Sequence, residues 1–289
     1  MTDLSDKSIV VCSIVRDAAR QVVGNIPAIE WICAHFSWYR VVVYENDSKD
    51  DTPRVLEEWK ASNPLVHVIS EHLGIRTLPS RKEVPSNPFF SLWRIEKMAM
   101  YRNQYLDYVE SQGWNPDYVM VVDLDVAGID REGVMTSFSD AYDWDVVTAF
   151  GYSLSPRLAI RYHDSYALVE LGKENGTKTE KEITSLSYSF AELKDRHEWV
   201  RVYSAFGGLA VYKYPALRGC RYVAEANGDS RVESRSEHFG LCHRMNERRE
   251  IRVYVNPRMR VRYQKLTWRI VLNSILRKLE RIFGSAPMG

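Results

Sequence analysis

The chain has 289 residues, with 39 Lys and Arg against 38 Asp and Glu, so its formal net charge is +1. A composition of 45% hydrophobic and 27% charged residues is ordinary for a globular protein and excludes a disordered or fibrous chain. The near-neutral charge argues against nucleic acid as the main partner, because phosphate binding needs a basic surface. The charge is uneven, however, since residues 257–289 carry +7 and the remainder −6.

The four cysteines are scattered and form no CxxC pair, which disfavours a disulfide framework and a structural zinc site. The first residues lack the basic and apolar regions of a signal peptide. No run approaches the ~18 apolar residues of a membrane span. We therefore expect a cytoplasmic protein.

The first third of the chain alternates predicted strands and helices. Short apolar runs rich in β-branched residues at 8–15 and 39–44 predict strands buried on both faces, and 66–70 is a third strand. Helices are predicted over 18–36 and over 53–61, the second with Pro53 in its first turn. This alternation predicts a parallel sheet, which binds ligands at the carboxyl ends of its strands.

The next predicted element is a long loop over residues 73–88, which contains three prolines. Loops of this length in compact domains often cover or line a binding site. Further on, helices are predicted over 93–110 and 237–248, strands over 118–124, 144–150 and 252–255, a glycine pair and strand over 204–212, and a surface loop or hairpin tip over 173–181.

The C-terminal region has two basic parts. Arg258, Arg260 and Arg262 alternate along a predicted strand, so they point either into a diphosphate crevice or into solvent. Residues 267–283 predict a basic amphipathic helix. Such a helix lies on an anionic membrane, packs on the core or pairs two copies of the chain.

Two carboxylates end the apolar run 118–122. Asp123 and Asp125 lie on one face of a strand, where their charges repel unless a cation compensates them. Mn²⁺ or Mg²⁺ prefers such oxygen ligands, and a diphosphate can fill the remaining positions. Aspartate pairs also occur in exposed turns, but the preceding apolar strand favours metal binding here.

The segment 45–52, ENDSKDDT, follows the second strand and predicts a turn into the next helix. Glu45 either takes part in that turn alone or also accepts hydrogen bonds from a nucleobase. Asp47 in the same turn and Arg16 after the first strand are further candidates for nucleotide binding.

Arg102 and Asn103 lie on the helix predicted over 93–110. They either face the sheet crevice, where a guanidinium would meet phosphates, or Arg102 is solvated and pairs with Glu96 or Asp107. Without other evidence the solvated alternative is favoured.

Two further segments hold candidate residues. Gly207 and Gly208 permit close approach of the backbone to a ligand, a bulge or a tight turn. Ser236 is a predicted helix cap, and Glu237 behind it either stabilises the helix dipole or acts as a general base. His238 is a candidate metal ligand or phosphate donor.

Together these segments resemble a GT-A-type glycosyltransferase, and more narrowly the fungal capsule-associated α-1,3-mannosyltransferase family. ENDSKDDT is similar to the DDGSTDGT turn of such enzymes, and DYVMVVDLDV to their DxD strand. The narrower resemblance is carried by YRN at 101–103, YHDSYA at 162–167, FGGLAVY at 206–212, SEHFGLC at 236–242 and VNPRMRVRY at 255–263.

The resemblance implies an α/β fold with one GT-A-like domain over residues 1–264, a Rossmann-like, mostly parallel sheet flanked by helices. Its nucleotide-binding half would span about 8–126 and its acceptor half about 127–264, and residues 265–289 would form the basic amphipathic helix.

Roles for single residues are implied in the same way. Glu45 would hold the base, Arg102 and Asn103 would lie near the donor, and Asp123 near the ribose. Asp125 would bind the metal, with His238 as a further ligand. Gly207 and Gly208 would form the floor under the transferred sugar, and Glu237 and His238 would face the reaction centre.

We therefore predict a metal-dependent enzyme that moves a sugar from a nucleoside-diphosphate sugar to a hydroxyl of a glycan or lipid-linked acceptor, in surface polysaccharide or glycan synthesis. One alternative is a sugar nucleotidyltransferase, which is disfavoured because no glycine follows the first strand until Gly24. Another is a non-catalytic carbohydrate-binding protein of the same fold. The donor base (UDP or GDP) and the stereochemical outcome are left open.

Overall fold

The strands of the protein form one sheet that runs through the whole described chain. The computed structural model describes residues 3–155 and 159–264. Its ten strands are β1 (Ser8–Val15), β2 (Trp38–Asn46), β3 (Val66–Glu71), β4 (Tyr118–Val122), β5 (Gly128–Ile129), β6 (Val146–Leu154), β7 (Ile160–Tyr162), β8 (Val200–Val202), β9 (Leu209–Lys213) and β10 (Val253–Arg262).

Seven α-helices flank the sheet in the described part of the chain. They are α1 (Ala19–Cys33), α2 (Thr52–Ser62), α3 (Leu92–Ser111), α4 (Arg131–Met135), α5 (Glu180–Ser189), α6 (Tyr214–Leu217) and α7 (Glu237–Arg248). Two 3₁₀ segments, Pro88–Phe90 and Phe190–Asp195, complete the helical elements.

The sheet order is β3-β2-β1-β4-β9-β6-β10-β5, with β7 paired to β6 and β8 to β10. The longer pairings, β1 with β2, β2 with β3 and β6 with β10, are parallel. Strand β9 enters between β4 and β6 and is antiparallel to both. The carboxyl ends of β1, β2 and β4 therefore share one edge of the sheet, as predicted for the first half of the chain.

Two apolar cores cover the two faces of the sheet. Alternate residues of β1 divide between them, with Val10 and Cys12 on one side and Ile9 and Val11 on the other. The first core is closed by α3, α5, α6 and α7, and the second by α1, α2 and α4. Strands buried on both sides account for the continuous apolar runs in the sequence.

Local signals fix the two helices that matter most for the site. Ser91 caps α3, since its side chain accepts a hydrogen bond from the backbone N–H of Arg94. Ser236 caps α7 and accepts from the N–H of His238. Each cap satisfies an otherwise unpaired donor at the start of its helix.

The predicted fold class is confirmed, with local differences. The prediction over 237–248 matches α7, whereas α1 ends at Cys33 and β10 continues from the predicted 252–255 to Arg262 through an irregularity between Asn256 and Arg260. Helix α5 was not predicted, and its first turn begins at Glu180, inside the loop predicted over 173–181.

Arg258, Arg260 and Arg262 are exposed, while Met259 and Val261 between them are buried. The predicted alternation of the arginines along a strand is thus confirmed. Their side chains face solvent, and the residues between them face the core.

The predicted C-terminal helix, with its membrane contact or dimer role, lies outside the described residues. Over residues 3–155 and 159–264, no helix is long and apolar enough to cross a membrane. The four cysteines are free and buried.

Candidate functional site

A pocket of about 600 Å³ opens where β1, β2 and β4 end. This volume is within the usual range for small-molecule and cofactor sites. Its wall includes Arg16 after β1, Asn46 at the end of β2, and Asp123 and Asp125 after β4. Helix α3 contributes Arg102, and the start of α7 contributes Ser236, Glu237 and His238. The pocket thus lies where ligands bind in open α/β sheets.

Arg102 connects the two carboxylates nearest to it. Its Nη2 donates to Oδ1 of Asp123 at 3.2 Å, and its Nε donates to Oε1 of Glu237 at 3.0 Å. The guanidinium is 3% exposed and lies over the ring of Phe206, 4.9 Å from its centroid. Arg102 is therefore buried and paired with residues far away in sequence, and the solvated alternative is wrong.

One donor of this guanidinium is left over. Among the described residues, Nη1 of Arg102 is buried and has no hydrogen-bond partner. Since Arg102 lines the pocket, this N–H group is available to an oxygen of a bound ligand. An unpaired buried donor is costly, so a phosphate or sugar oxygen here would be bound favourably.

The carboxylates of the pocket repel each other. Burial raises the pKa of Asp123 to about 7, Arg102 opposes the rise, and the charge of Asp125 adds to it. Desolvation also raises the pKa of Asp125, although this residue is the more exposed of the pair. One buried arginine does not compensate this charge fully, so the site favours a further cation.

The donor set of Asp123 and Asp125 fits a hard divalent cation such as Mn²⁺ or Mg²⁺, which binds carboxylate, water and phosphate oxygens. Within the described residues, no three His, Cys, Asp or Glu side chains come together as a complete metal site. The ion would thus need ligands from the substrate as well as from these two carboxylates.

His238 is held apart from the aspartates by its packing. Its ring stacks on Phe206, with the centroids 3.7 Å apart, and meets Tyr222 edge to face. Burial lowers its pKa well below the usual value, so the imidazole is neutral. Neither ring nitrogen has a hydrogen-bond partner among the described residues. A neutral, unpaired imidazole in the pocket wall is suited to a ligand, and its place in the metal shell stays a prediction.

The predicted base contact, Glu45, is occupied within the protein. Its Oε1 accepts from the backbone N–H of Ser48 at 2.9 Å, and its Oε2 accepts from the hydroxyl of Ser70 at 2.5 Å. Glu45 is 2% exposed and is not among the residues that line the pocket. Glu45 therefore lies within β2 with its carboxylate bonded inside the protein, whereas its neighbour Asn46 lies in the pocket wall.

Asp47 also has a structural role. It adopts a left-handed backbone conformation with φ of 55°, and its carboxylate accepts from the backbone N–H groups of Gly74 and Ile75. It thereby fixes the start of the long loop. Arg16 does line the pocket, and its Nη1 donates to the carbonyl of Ile75 at 3.1 Å.

Asn103, Gly207 and Gly208 make contacts with the backbone and do not line the pocket. The side chain of Asn103 bonds both the N–H and the carbonyl of Tyr222. Gly207 and Gly208 have φ of 67° and 85°, and a Cβ on Gly207 would lie 2.0 Å from the carbonyl oxygen of Ala149. Glycine is required here because the turn packs on β6, and none of the three residues lines the pocket.

The pocket also contains residues for which no role was predicted. Asp164 and Tyr263 lie in its wall, with Tyr101 of α3. All three belong to segments that carry the family resemblance, YHDSYA, VNPRMRVRY and YRN, and this was the available signal. The ring of Tyr263 stacks on His163 at 3.7 Å.

The model of the family described as Cryptococcal mannosyltransferase 1 matches residues 36–244. The chain belongs to this family. The matched region contains α3, β4 and most of α7, which supply Arg102, Asp123 and Glu237. The family's description is that of a mannosyltransferase, a kind of glycosyltransferase. No curated protein matches it in sequence.

Solved structures with a similar chain path include three further proteins. The mannosyltransferase PcManGT from Pyrobaculum calidifontis, in complex with GDP-Man and Mn²⁺, has a TM-score of 0.48 and 13% identity, over 98% of this chain and 66% of that one. S. aureus TarS 1–349 has a TM-score of 0.44 and 12% identity, over 88% and 59%. Glucosyl-3-phosphoglycerate synthase from Mycobacterium tuberculosis, with UDP, has a TM-score of 0.42 and 14% identity, over 98% and 82%. The present chain thus spans about two thirds of the length of PcManGT and about three fifths of the length of TarS 1–349.

Proposed function

We propose that the protein transfers mannose from GDP-mannose to a hydroxyl group of a glycan or lipid-linked acceptor, with a divalent cation held by Asp123 and Asp125. Family membership supports the sugar. The observation that carries the proposal is the pocket at the strand ends, where two aspartates and the unpaired Nη1 of Arg102 meet. This combination suits a diphosphate, which brings negative charge that must be stabilised as it leaves.

In the proposed reaction the acceptor oxygen bonds to the anomeric carbon, and the bond from that carbon to the diphosphate oxygen breaks. The electron pair stays on the diphosphate. A bound Mn²⁺ or Mg²⁺ would supply Lewis-acid stabilisation of this charge. Arg102 is held rigidly by its two ion pairs, so its Nη1 is ready to bind an oxygen of the diphosphate without reorganising.

Glu237 has two proposed roles that depend on stereochemistry. If the configuration inverts, a base must take the proton of the acceptor hydroxyl, and Glu237 is in the pocket wall. If it is retained, the departing diphosphate oxygen takes the acceptor proton on the same face, so no protein base is needed there and Glu237 positions the acceptor. The ion pair of Glu237 with Arg102 at 3.0 Å weighs against the first role, because protonation would break it.

The proposed acceptor is a surface polysaccharide or other glycan, free or lipid-linked. The pocket wall offers it an exposed aromatic side chain, Phe89, which is 57% exposed. We place the protein in the cytoplasm, in peripheral contact with a membrane where the acceptor is lipid-linked.

The test replaces Asp125 with Asn and measures hydrolysis and transfer of GDP-mannose at increasing Mn²⁺. We expect a rate reduction of about 10²-fold or more, from the loss of a charged ligand in the site. Asp130→Asn is the matched control, since Asp130 caps α4 outside the pocket. Undiminished, metal-independent activity of the Asp125 variant would overturn the metal assignment. Turnover of UDP-glucose in place of GDP-mannose would overturn the donor.

A further inference from the structure

Asp164 lies on the side of the pocket away from the nucleotide-binding strands. It follows β7, which pairs with β6, whereas Arg16 and Asn46 follow β1 and β2 on the other side of β4. A donor whose nucleotide lies over β1 and β2, and whose diphosphate lies at Asp123, extends its sugar toward Asp164.

The carboxylate of Asp164 is held by the backbone alone. Its Oδ2 accepts from the N–H of Gly207 at 3.2 Å, and the N–H of Ala167 also donates to it. Within the described residues it forms no ion pair, whereas Asp123 and Glu237 both pair with Arg102. Asp164 is thus fixed in orientation and keeps further acceptor positions for a ligand. The charge of Lys178 acts on it, but Lys178 donates its hydrogen bonds to the carbonyls of Tyr166 and Leu168.

Burial disfavours the charged form of this carboxylate. It raises the pKa of Asp164 to about 6, and the charge of Glu237 adds to the rise. The two backbone N–H groups of Gly207 and Ala167 are the donors that the ionised form has in the protein. Hydroxyl groups are the donors that a sugar brings, and hydrogen bonds to a charged acceptor are the stronger ones.

Two other observations indicate a ligand at this side of the pocket. The ring nitrogens of His238 and Nη1 of Arg102 are buried in the same wall without partners among the described residues. The ring of Tyr263 also lines it, and it gives an apolar surface against which the C–H face of a sugar packs. Polar groups beside aromatic rings are the usual composition of such sites.

We propose that Asp164 binds hydroxyl groups of the transferred sugar and thereby contributes to the choice of donor. This inference rests on the proposed function, since it needs a sugar-nucleotide in the pocket. Asp164 is assigned to the sugar and not to the nucleotide. Its mutation should therefore weaken binding of the sugar nucleotide and leave the affinity for the nucleotide alone unchanged.

The experiment measures binding of GDP and of GDP-mannose, each with Mn²⁺, by isothermal titration. Asp164→Asn is expected to bind GDP as the wild type does, and GDP-mannose about tenfold or more weakly, because a hydrogen bond to a charged group contributes about 1.5–3 kcal/mol. Asp164→Ala should give the same separation. Asp117→Asn is the control, since Asp117 bonds Ser8 at the opposite end of β4 and should change neither affinity.

Several outcomes would overturn the assignment. GDP-mannose binding that is unchanged in Asp164→Asn removes the contact. An equal loss for GDP and GDP-mannose shows that Asp164 shapes the nucleotide site or the fold, and thermal unfolding of the variant separates these two causes. The same pair of measurements with UDP and UDP-glucose covers the other base. A wild-type protein that binds none of the four ligands overturns the proposed function itself, and not only the role of Asp164.

Discussion

Three charged side chains from distant parts of the chain depend on one another. Asp123 and Glu237 lie 21 and 135 residues after Arg102 in the sequence. The three side chains nevertheless form one hydrogen-bonded group with little exposure to solvent. Buried carboxylates are tolerated only when a cation is near, so removing the arginine should cost more than either hydrogen bond alone.

Arg102→Met is expected to lower the free energy of unfolding by about 3–5 kcal/mol at pH 8, as for other buried pairs that lose one partner. The loss should be smaller at pH 5, because Asp123, whose pKa burial raises to about 7, is then protonated in the folded state. Urea unfolding at both pH values measures it. Arg244→Met is the control: Arg244 forms an exposed pair with Glu247, so its loss should stay below about 1 kcal/mol. Equal losses in the two variants would contradict the dependence.

The sequence predicted single residues better when their role was local. Asp123 and Asp125 follow an apolar run, and this pattern is visible within eight residues. Strand β4 ends at Val122, so the prediction that both lie on one face of a strand is wrong. The partner of Arg102 was not predictable, since Glu237 reaches it only through the packing of α7 on α3. Glu45 shows another case: it was predicted in the segment after the second strand but lies within β2, where one step along the strand turns a side chain to the other face, and Asn46 lines the pocket instead.

Among the elements, the turn before β9 has the most demanding geometry. Gly207 and Gly208 allow the chain to pass close to β6, and the carbonyl of Gly208 accepts from the backbone N–H of Asp123 at 2.9 Å. The N–H of Gly207 holds Asp164. One turn thus positions two of the pocket carboxylates through its backbone.

Gly207→Ala should destabilise the protein more than Gly74→Ala does. Both glycines have positive φ, of 67° and 65°, so alanine costs about 1–2 kcal/mol at either position. Only at Gly207 does the added Cβ meet backbone, whereas Gly74 faces open space. Overpacking adds about 1–3 kcal/mol. Urea unfolding of both variants separates the backbone strain, which both share, from the steric clash, which only Gly207→Ala has. Similar midpoints for the two variants would contradict the clash.

Elements with complete local signals were predicted, and those without them were not. Helix α7 has a serine cap and an amphipathic pattern, so both its ends were correct. Helix α5 begins at Glu180 after a polar, glycine-containing stretch, and its cap Thr179 lies inside the predicted loop. Strand β10 continues through Pro257 to Arg262, because the irregularity between Asn256 and Arg260 accommodates the proline.

For the whole molecule, stability should depend on pH through Lys178. This lysine is 2% exposed, and its Nζ donates to the carbonyls of Tyr166 and Leu168. Burial, with Arg235 nearby, lowers its pKa to about 7. Between pH 7 and about 10.4 the unfolded chain therefore holds a proton at this lysine that the folded protein does not.

The stability of the wild type relative to Lys178→Met should consequently rise as the pH increases from 7 to 10, by at most about 1.4 kcal/mol per pH unit. Below pH 7 the lysine is charged in both states and the difference should be constant. Urea unfolding at pH 6, 8 and 9.5 tests this. Lys181→Met, at an exposed position nearby, should show no such slope. A flat difference for Lys178→Met would contradict the lowered pKa.

The insertion of β9 between β4 and β6 has a consequence for how the chain could be divided. Strand β4 pairs with β1 on one side and with β9 on the other, and β9 begins only at Leu209. A nascent chain that ends near residue 126 would leave that second side of β4 open, with its N–H and C=O groups free to pair with another molecule. The predicted nucleotide-binding half (about 8–126) and acceptor half (about 127–264) therefore belong to one folding unit. We expect neither half to stay folded when proteolysis separates it from the other.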